Sequence, residues 1–436
     1  MNKLKSILTV QWTRMKNNKT IVANSFGAFF VKGGAMVISL LTMPAYMAFF
    51  QNSRVLGLWF TILAVLSWIL TFDLGVGNGL RNLLVEPIVK DEAKEIKKFV
   101  SSAYISISML MIAFAIAMSV ASPLINWNKV FNIDISLVSD TTLRLSIMII
   151  FIGILLQFLL KLIFSILHAM QKSALPNFLL LISNTLMLMF VLFFKNANIG
   201  NALITLSIVY VFSMNLPTVI ATFIVFSTTL KESVPSFSHY SHDYAKKILI
   251  LGGSFFWAQI MYLIITMTNE FLITWFANPS YVVDYQIYNK LFNLIGSLYI
   301  LSLTPIWSAV TKAKAEGKYD WIEKLYHFLK KTALTAIVLE FLFIGLLQPA
   351  LDLWLGKYSI KVNYSFALVF ALSASLIIWN GVHQSLTNGF GLLKTQNLYF
   401  TLGAIINIPL AWLLVTILHS WIGVIVANIV SVSLYS

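Results

Sequence analysis

The chain has 436 residues, 59% of them apolar and 11% charged, with a formal net charge of +14 and a mean hydropathy of +0.84. A soluble domain carries roughly 25% charged residues, so an ordinary soluble fold is excluded. Cysteine is absent, which removes disulfides, thiolate metal sites and a cysteine nucleophile.

The first segment, Met1 to Lys19, is polar and basic, with Lys3, Lys5, Arg14, Lys16 and Lys19. It lacks the apolar region and small-residue cleavage site of a secretory signal. The apolar runs that follow read as twelve helical spans, at 20–50, 55–80, 99–122, 143–170, 175–194, 201–226, 247–276, 283–310, 324–348, 363–390, 395–418 and 421–436. The last is short and reaches Ser436 without a polar tail, which reads either as a clipped chain or as a partial final helix. In lipid such runs must be helices, because each backbone polar group has to be satisfied within its own segment. Strands of a membrane barrel would alternate in polarity, and these runs do not.

The loop charges agree with this map. With the N-terminus in the cytoplasm, one set of connections holds Arg81, Lys90, Lys94, Lys97, Lys98, Lys172, Lys231, Lys246, Lys247, Lys312, Lys314, Lys318, Lys324, Lys330, Lys331 and Lys394. The opposite side has only Arg54, Lys129, Lys195, Lys357 and Lys361. The excess, roughly four to one, is the bias of the positive-inside rule, and it accounts for the net charge without nucleic acid as a partner. Residues 84–98 and 312–331 alternate in charge and read either as helices lying at the cytoplasmic surface or as solvated connectors. Residues 227–246, with Pro235 and several serines, read as a linker between an N-terminal lobe, 1–226, and a C-terminal lobe, 247–436. A weak repeat fits this division. The basic turn Lys172-Ser173 after the fourth span has a counterpart, Lys394-Thr395, after the tenth. The expected architecture is all-α and integral to the membrane, with two six-helix lobes around a central cavity.

Ionisable residues at membrane depth are costly and mark function. Lys32, in FFVKGGAM, and Lys161, one turn beyond Gln157, lie near the middle of spans one and four. Snorkelling from that depth is difficult, so both are read as facing a polar cavity, the alternative for Lys32 being a buried ion pair with Asp73 or another acid. Arg144 reads as an interfacial anchor. Glu270 and Lys290 stand at similar distances from the turn near Asn278–Tyr281, which allows either a structural ion pair or a switchable, proton-linked one. Glu340 has no sequence-local partner and is open to a proton-carrying role. Asp73 and Arg81, eight apart and nearly on one helix face, read as a cytoplasmic latch. Gln157, Asn184, Asn293, Trp379, Asn380, Gln384 and Asn388 are candidate wall groups for a polar cargo. No metal-ligand spacing, phosphate-binding loop or nucleophile elbow is present, so the chain reads as a transporter without a cofactor, not an enzyme.

The stretch TFDLGVGNGLRN, Thr71 to Asn82, resembles a signature of the Wzx-like O-antigen and capsule repeat-unit flippases. These belong to the multidrug/oligosaccharidyl-lipid/polysaccharide exporter superfamily. TPIWSAVTKAKAEGKYDWIEK, Thr304 to Lys324, is similar to a second segment of that family, and NSFGAFFVKGGAMVISLLTMPAYMAFF with GLWF matches its opening pattern. Span seven departs from the family, with Asn269-Glu270 where an aspartate is expected. The resemblance implies a flippase in the bacterial inner membrane that moves undecaprenyl-pyrophosphate-linked oligosaccharide by alternating access. Membrane lipids and other polysaccharide-assembly membrane proteins would be its partners. Lys32, Lys161 and Lys290 would then meet the pyrophosphate, and Asp73, Arg81, Glu270 and Glu340 would couple or gate. Three rival readings are a cation-coupled multidrug exporter of the same superfamily, a lipid II flippase and a membrane glycosyltransferase or polymerase. Mid-membrane lysines favour an anionic cargo over a cationic drug. Lys32→Ala and Lys161→Ala are therefore expected to impair transport in proteoliposomes while membrane insertion persists. Normal transport by both variants removes the cationic cavity.

Overall fold

The computed structural model describes residues 31, 33–71, 76–170, 172, 174–194, 199–315, 317–390 and 393–435. Lys32 and Asp73 lie outside the described residues. Among the described residues the regular structure is entirely helical. The N-terminal half holds α1 (Gly33–Phe50), α2 (Ser53–Thr71), α3 (Val76–Val89), α4 (Ala93–Ala121), the single turn α5 (Trp127–Val130), α6 (Asp140–Leu160), α7 (Leu162–Ala169), α8 (Ala174–Phe193) and α9 (Ile199–Ser227). The C-terminal half holds α10 (His242–Thr266), α11 (Asn269–Phe276), α12 (Ser280–Ala315), α13 (Tyr319–Ile344), α14 (Leu347–Leu355), α15 (Tyr364–Phe390), α16 (Leu393–Leu418) and α17 (Ile422–Ser433). Each half makes six passes once α2 and α3, α6 and α7, α10 and α11, and α13 and α14 are each taken as one pass.

Several spans differ from a straight reading of hydropathy. The fourth breaks at Lys161, the seventh at Met267 and Thr268, and the ninth bends by 72° between α13 and α14. The two charged links are not separate surface helices. α3 runs on to Val89 and α4 starts at Ala93, across a tight turn at Asp91 with φ +55°. Likewise α12 continues to Ala315 and α13 begins at Tyr319, with Gly317 at φ +69° in the turn. The helices of the neighbouring passes carry these charges themselves, on exposed or half-exposed turns. Lys90 stands 2.5 Å from Glu86 one turn earlier, and this contact holds the glutamate carboxyl below the usual carboxylate range.

The outer surface is apolar where lipid would meet it. Val120, Phe212, Phe223, Leu342 and Ile405 are each more than three-fifths exposed, on α4, α9, α13 and α16. In water such a surface would be a liability; in a bilayer it is the solvated face. Because lipid is as apolar as leucine, helix association rests on close packing and buried hydrogen bonds. Trp59 of α2 is fully buried, with Tyr46, Phe50 and Tyr210 rings 6.0–6.4 Å from it. In the other half Phe370 of α15 lies 5.3 Å from Tyr288 and 6.3 Å from Phe292, both on α12. α6 and α9 approach at Gly153, where an added Cβ would stand 2.2 Å from a Val211 methyl. The same approach lets Asn215 donate to the Gly153 carbonyl at 3.1 Å. Gly153→Val is expected to force α6 and α9 apart and to destabilise the protein by about 1–3 kcal/mol. Thermal unfolding in detergent checks this, and an unchanged midpoint refutes it.

Candidate functional site

The break between α10 and α11 organises the site. A helix leaves its last carbonyls without intrahelical donors, and inside a membrane no bulk water replaces them. Here side chains from other helices do so. Asn407 of α16 donates to the Ile264 carbonyl at 3.2 Å, joined by Thr268 at 2.8 Å. Asn428 of α17 donates to the Ile265 carbonyl. Trp68 of α2 reaches across from the other half to the Met267 carbonyl at 2.7 Å. Ser431 in turn donates to Asn407 at 3.3 Å, which orients the amide. Glu270 follows in the first turn of α11 and accepts a 2.8 Å hydrogen bond from Gln286 of α12.

A cavity of about 600 Å³ opens beside this break, within the roughly 300–1,000 Å³ of small-molecule sites. Its walls have a clear order. Tyr285, Asn289, Asn293 and Ser297 recur every fourth residue along α12 and so form one polar stripe. Ser373, Asn380, Gln384 and Ser385 face it from α15, and Asn269 and Asn428 close the end near the break. Phe400 and Tyr285 supply aromatic surface. No charged residue is among the described residues of the lining. Asn289 and Asn293 hydrogen-bond each other, Asn380 donates to the Val432 carbonyl at 3.2 Å, and Asn269 donates to the Tyr285 hydroxyl at 3.3 Å. The Asn269 carbonyl oxygen is buried without a partner among the described residues. Amides offer donors and acceptors together, so the lining suits a neutral, hydroxyl-rich ligand.

The charges singled out in the sequence are dispersed. Lys161 sits half-buried at the α6–α7 break, in the other half of the molecule. Lys290 does not pair with Glu270. Its ammonium donates instead to the Ser39 carbonyl at 2.8 Å and to the Ser39 hydroxyl at 3.2 Å, tying α12 to α1. Glu340 is fully buried on α13, and neither carboxyl oxygen meets hydrogen-bond geometry with a described residue. Arg81 is exposed on α3, and its expected partner Asp73 lies outside the described residues. Of the expected wall groups, Asn293, Asn380 and Gln384 do line the cavity. Trp379 packs at 5.2 Å against His383, Gln157 is buried in α6, Asn184 lies in α8, and the Asn388 side chain is outside the described residues. Tyr285, Asn289, Ser297 and Ser373 were not singled out, although the fourfold spacing along α12 is visible in the sequence.

The two halves also meet at both ends of the bundle. At the end away from the lysine-rich turns, Thr61 of α2 and Thr274 of α11 share a 2.6 Å hydrogen bond, and both are fully buried. Asn132 donates to the Thr274 and Ala277 carbonyls at 3.1 and 3.3 Å. Nearby Asp134 accepts the Ser136 backbone N–H at 2.8 Å, which holds its carboxyl below the ordinary range. Gly57 comes so close to the turn before α12 that an added Cβ would lie 1.6 Å from the Pro279 carbonyl oxygen. At the lysine-rich end, Tyr244 of α10 donates to Glu95 of α4 at 2.5 Å, and Lys98 holds the same carboxylate at 3.0 Å.

No family model matches the chain, and no curated protein matches its sequence. Its likeness is to solved structures. A multidrug resistance MATE-family transporter of the MOP superfamily, in an inward-facing conformation, superposes with a TM-score of 0.74 at 13% identity, over 91% of this chain and 92% of that one. The lipid II flippase MurJ, in an inward closed conformation, gives 0.73 at 16% identity, over 95% and 86% of the two chains. An outward-facing MATE transporter gives 0.59 at 14% identity, over 96% and 93%. The chain has the fold of these transporters. It is a multi-pass, all-helical membrane protein with two six-helix lobes. At such identities the likeness carries the fold and leaves the cargo to the site itself.

The far-end seal has a direct test, because the chain contains no cysteine. A single Thr274→Cys, at a fully buried position, reports opening through its labelling by a membrane-impermeant maleimide. Adding Gly57→Val is expected to speed labelling at least roughly tenfold, since a backbone carbonyl cannot step aside for the new side chain. Equal protection in both backgrounds would show that the far end closes without the Gly57 contact.

Proposed function

We propose that this protein is a flippase of the MOP superfamily. It carries an undecaprenyl-pyrophosphate-linked oligosaccharide across the bacterial cytoplasmic membrane, for O-antigen or capsule assembly. The observation that carries the reading is the uncharged, amide- and hydroxyl-lined cavity between α12 and α15. A sugar repeat unit presents many hydroxyls, each able to donate and accept, and an amide answers both roles. The aromatic faces of Tyr285 and Phe400 offer stacking surface for a sugar ring. A lipid-linked cargo also fits the likeness to MurJ, a lipid II flippase.

In this reading the lobes are 1–226 and 247–436, joined by the linker 227–246, and the lysine-rich turns face the cytoplasm. The lobes rock between two states, with the cavity reached from the cytoplasmic side while the Thr61–Thr274 and Gly57 contacts close the outer end. The sugar and the pyrophosphate occupy different places. The cavity takes the sugar, while Lys32 and Lys161 remain the candidates for the pyrophosphate. Lys290 holds α1 and would reach an anion only after releasing Ser39. Glu270, at the break, and Glu340, buried on α13, are the candidates for coupling, with Asp73 and Arg81 for gating. A multidrug exporter remains the second reading, favoured by the likeness to MATE transporters.

The test is reconstitution in liposomes holding fluorescent undecaprenyl-pyrophosphate oligosaccharide, with translocation followed by an impermeant quencher. Each lost cavity hydrogen bond is worth roughly 1 kcal/mol, so the pair Asn293→Leu with Gln384→Leu should weaken cargo affinity about thirtyfold. Translocation that fails in this variant, with unchanged unfolding temperature, supports the flippase. Absence of translocation by the native protein, together with export of cationic dyes under an ion gradient, selects the multidrug reading.

A further inference from the structure

The seam between the halves at the lysine-rich end holds a cleft separate from the cavity beside the α10–α11 break. It has a volume of about 330 Å³ and lies between α4 and the start of α10. Its rim is polar, with Ser106 from α4, Tyr240 from the linker, and His242 and Lys246 from α10. Its deeper wall is apolar, formed by Leu249 and Ile250, which are 42% and 66% exposed.

The cleft is a consequence of how the linker docks. The Ser236 backbone N–H donates to the Ser101 hydroxyl at 3.0 Å, and that of Ser241 to the Ser102 hydroxyl at 3.1 Å. Ser106 lies one helical turn beyond Ser102 on the same face, and docking leaves it opposite α10. His242 and Lys246 are four apart and share a face of α10. Lys247, the next residue, is turned to the Tyr244 ring, 5.3 Å from its centre. Among the described residues, Lys246, His242, the Tyr240 hydroxyl and the Ser106 hydroxyl have no hydrogen-bond or ion-pair partner. One ammonium, one imidazole and two hydroxyls thus converge unpartnered on one opening.

Depth identifies the ligand class. α10 turns apolar directly after Lys247, with Ile248, Leu249 and Ile250. The rim therefore stands at headgroup level and the exposed wall at the first hydrocarbon carbons. An oxyanion satisfies the rim, and only a ligand with an attached chain also covers the wall. The volume admits one phosphate with a small headgroup and is too small for an oligosaccharide. We infer that this cleft binds an anionic glycerophospholipid of the surrounding leaflet. The phosphate is held by Lys246, His242, Tyr240 and Ser106, and a chain lies along Leu249 and Ile250. Because Ser106 belongs to one half and Lys246 to the other, the lipid staples α4 to α10 beside the Glu95–Tyr244 contact. It thereby favours the state in which this seam is closed.

The inference is independent of the cargo, and its test needs no transport. The purified full chain is titrated with phosphatidylglycerol or phosphatidylcholine, and retained lipid is counted by native mass spectrometry. The native protein should retain phosphatidylglycerol about tenfold more strongly than the zwitterionic lipid. The double variant His242→Asn with Lys246→Gln should lose that preference. Lys324→Gln, which removes an exposed charge at the same end away from the cleft, should keep it. Three results would each overturn the assignment: no preference in the native protein, equal loss in the Lys324 variant, or displacement of the lipid by millimolar inorganic phosphate. The last would identify a site for the free ion.

Discussion

A helix that stops inside a membrane must find donors for its final carbonyls, and that requirement shapes the C-terminal half. The end of α10 draws Asn407 from α16, Asn428 from α17 and Trp68 from α2 to three neighbouring carbonyls. Each of these bonds replaces one that a continuous helix would make for itself, so the break survives only if the three helices hold their places. The arrangement thus fixes α16 and α17 against α10 and brings α2 of the other half to the same point. It also explains why polar residues gather here. Amides that serve the α10 backbone stand beside the other amides of the lining, and the cavity opens at their boundary.

The two ends of the bundle join the halves by different means, which bears on how the protein can move. The far end is a contact of backbones, with Gly57 against Pro279 and a buried threonine pair behind it. Such a contact is steric and either fits or does not. The lysine-rich end is a contact of side chains, with Tyr244, Lys98 and Glu95 sharing one half-exposed carboxylate. Exposed ion pairs contribute roughly 0–1 kcal/mol, and a hydrogen bond a net 0.5–1.5 kcal/mol. Between these ends the halves share one apolar core, to which Val55 and Leu56 of α2 and Ile273 and Val282 of α11 and α12 belong. In the alternating access proposed above, the polar contacts at the two ends would be exchanged between states.

Much of this architecture is legible in the sequence because hydropathy depends on residue type alone. The runs of apolar residues located the passes, and positions such as Gly317 and Asp91 then showed the charged links to be helical extensions joined by tight turns. What residue type does not show is direction. Lys290 and Glu270 are at comparable distances from their turn, yet Gln286, one turn nearer to it, takes the carboxylate, and Lys290 points at α1. The break at Met267 and Thr268 also shifts α11 relative to a continuous helix. No local signal marks that break, because the residues that sustain it lie on α2, α16 and α17, far away in sequence. Charge drew the reading of the site towards lysines, whereas the polar part of the cavity wall is asparagine, glutamine and serine, set among aliphatic residues such as Ile265, Ile300, Leu303 and Ile377.

That substitution of amides for charges has a physical logic. The cargo proposed above, a lipid-linked oligosaccharide, is two ligands in one, a neutral polyol and an anion. A cation buried beside the sugar would bind the anion tightly and hold it, since attraction grows as water is excluded. Release would then become the slow step. Neutral amides give many weak bonds that form and break singly, and each is replaced by water as the cavity opens. Under that proposal Lys161, between α6 and α7, and Lys290, engaged with a backbone carbonyl, would meet the anion without trapping the whole cargo. A carrier that must let go on the far side is better served by a soft cavity and distant cations than by a deep cationic well.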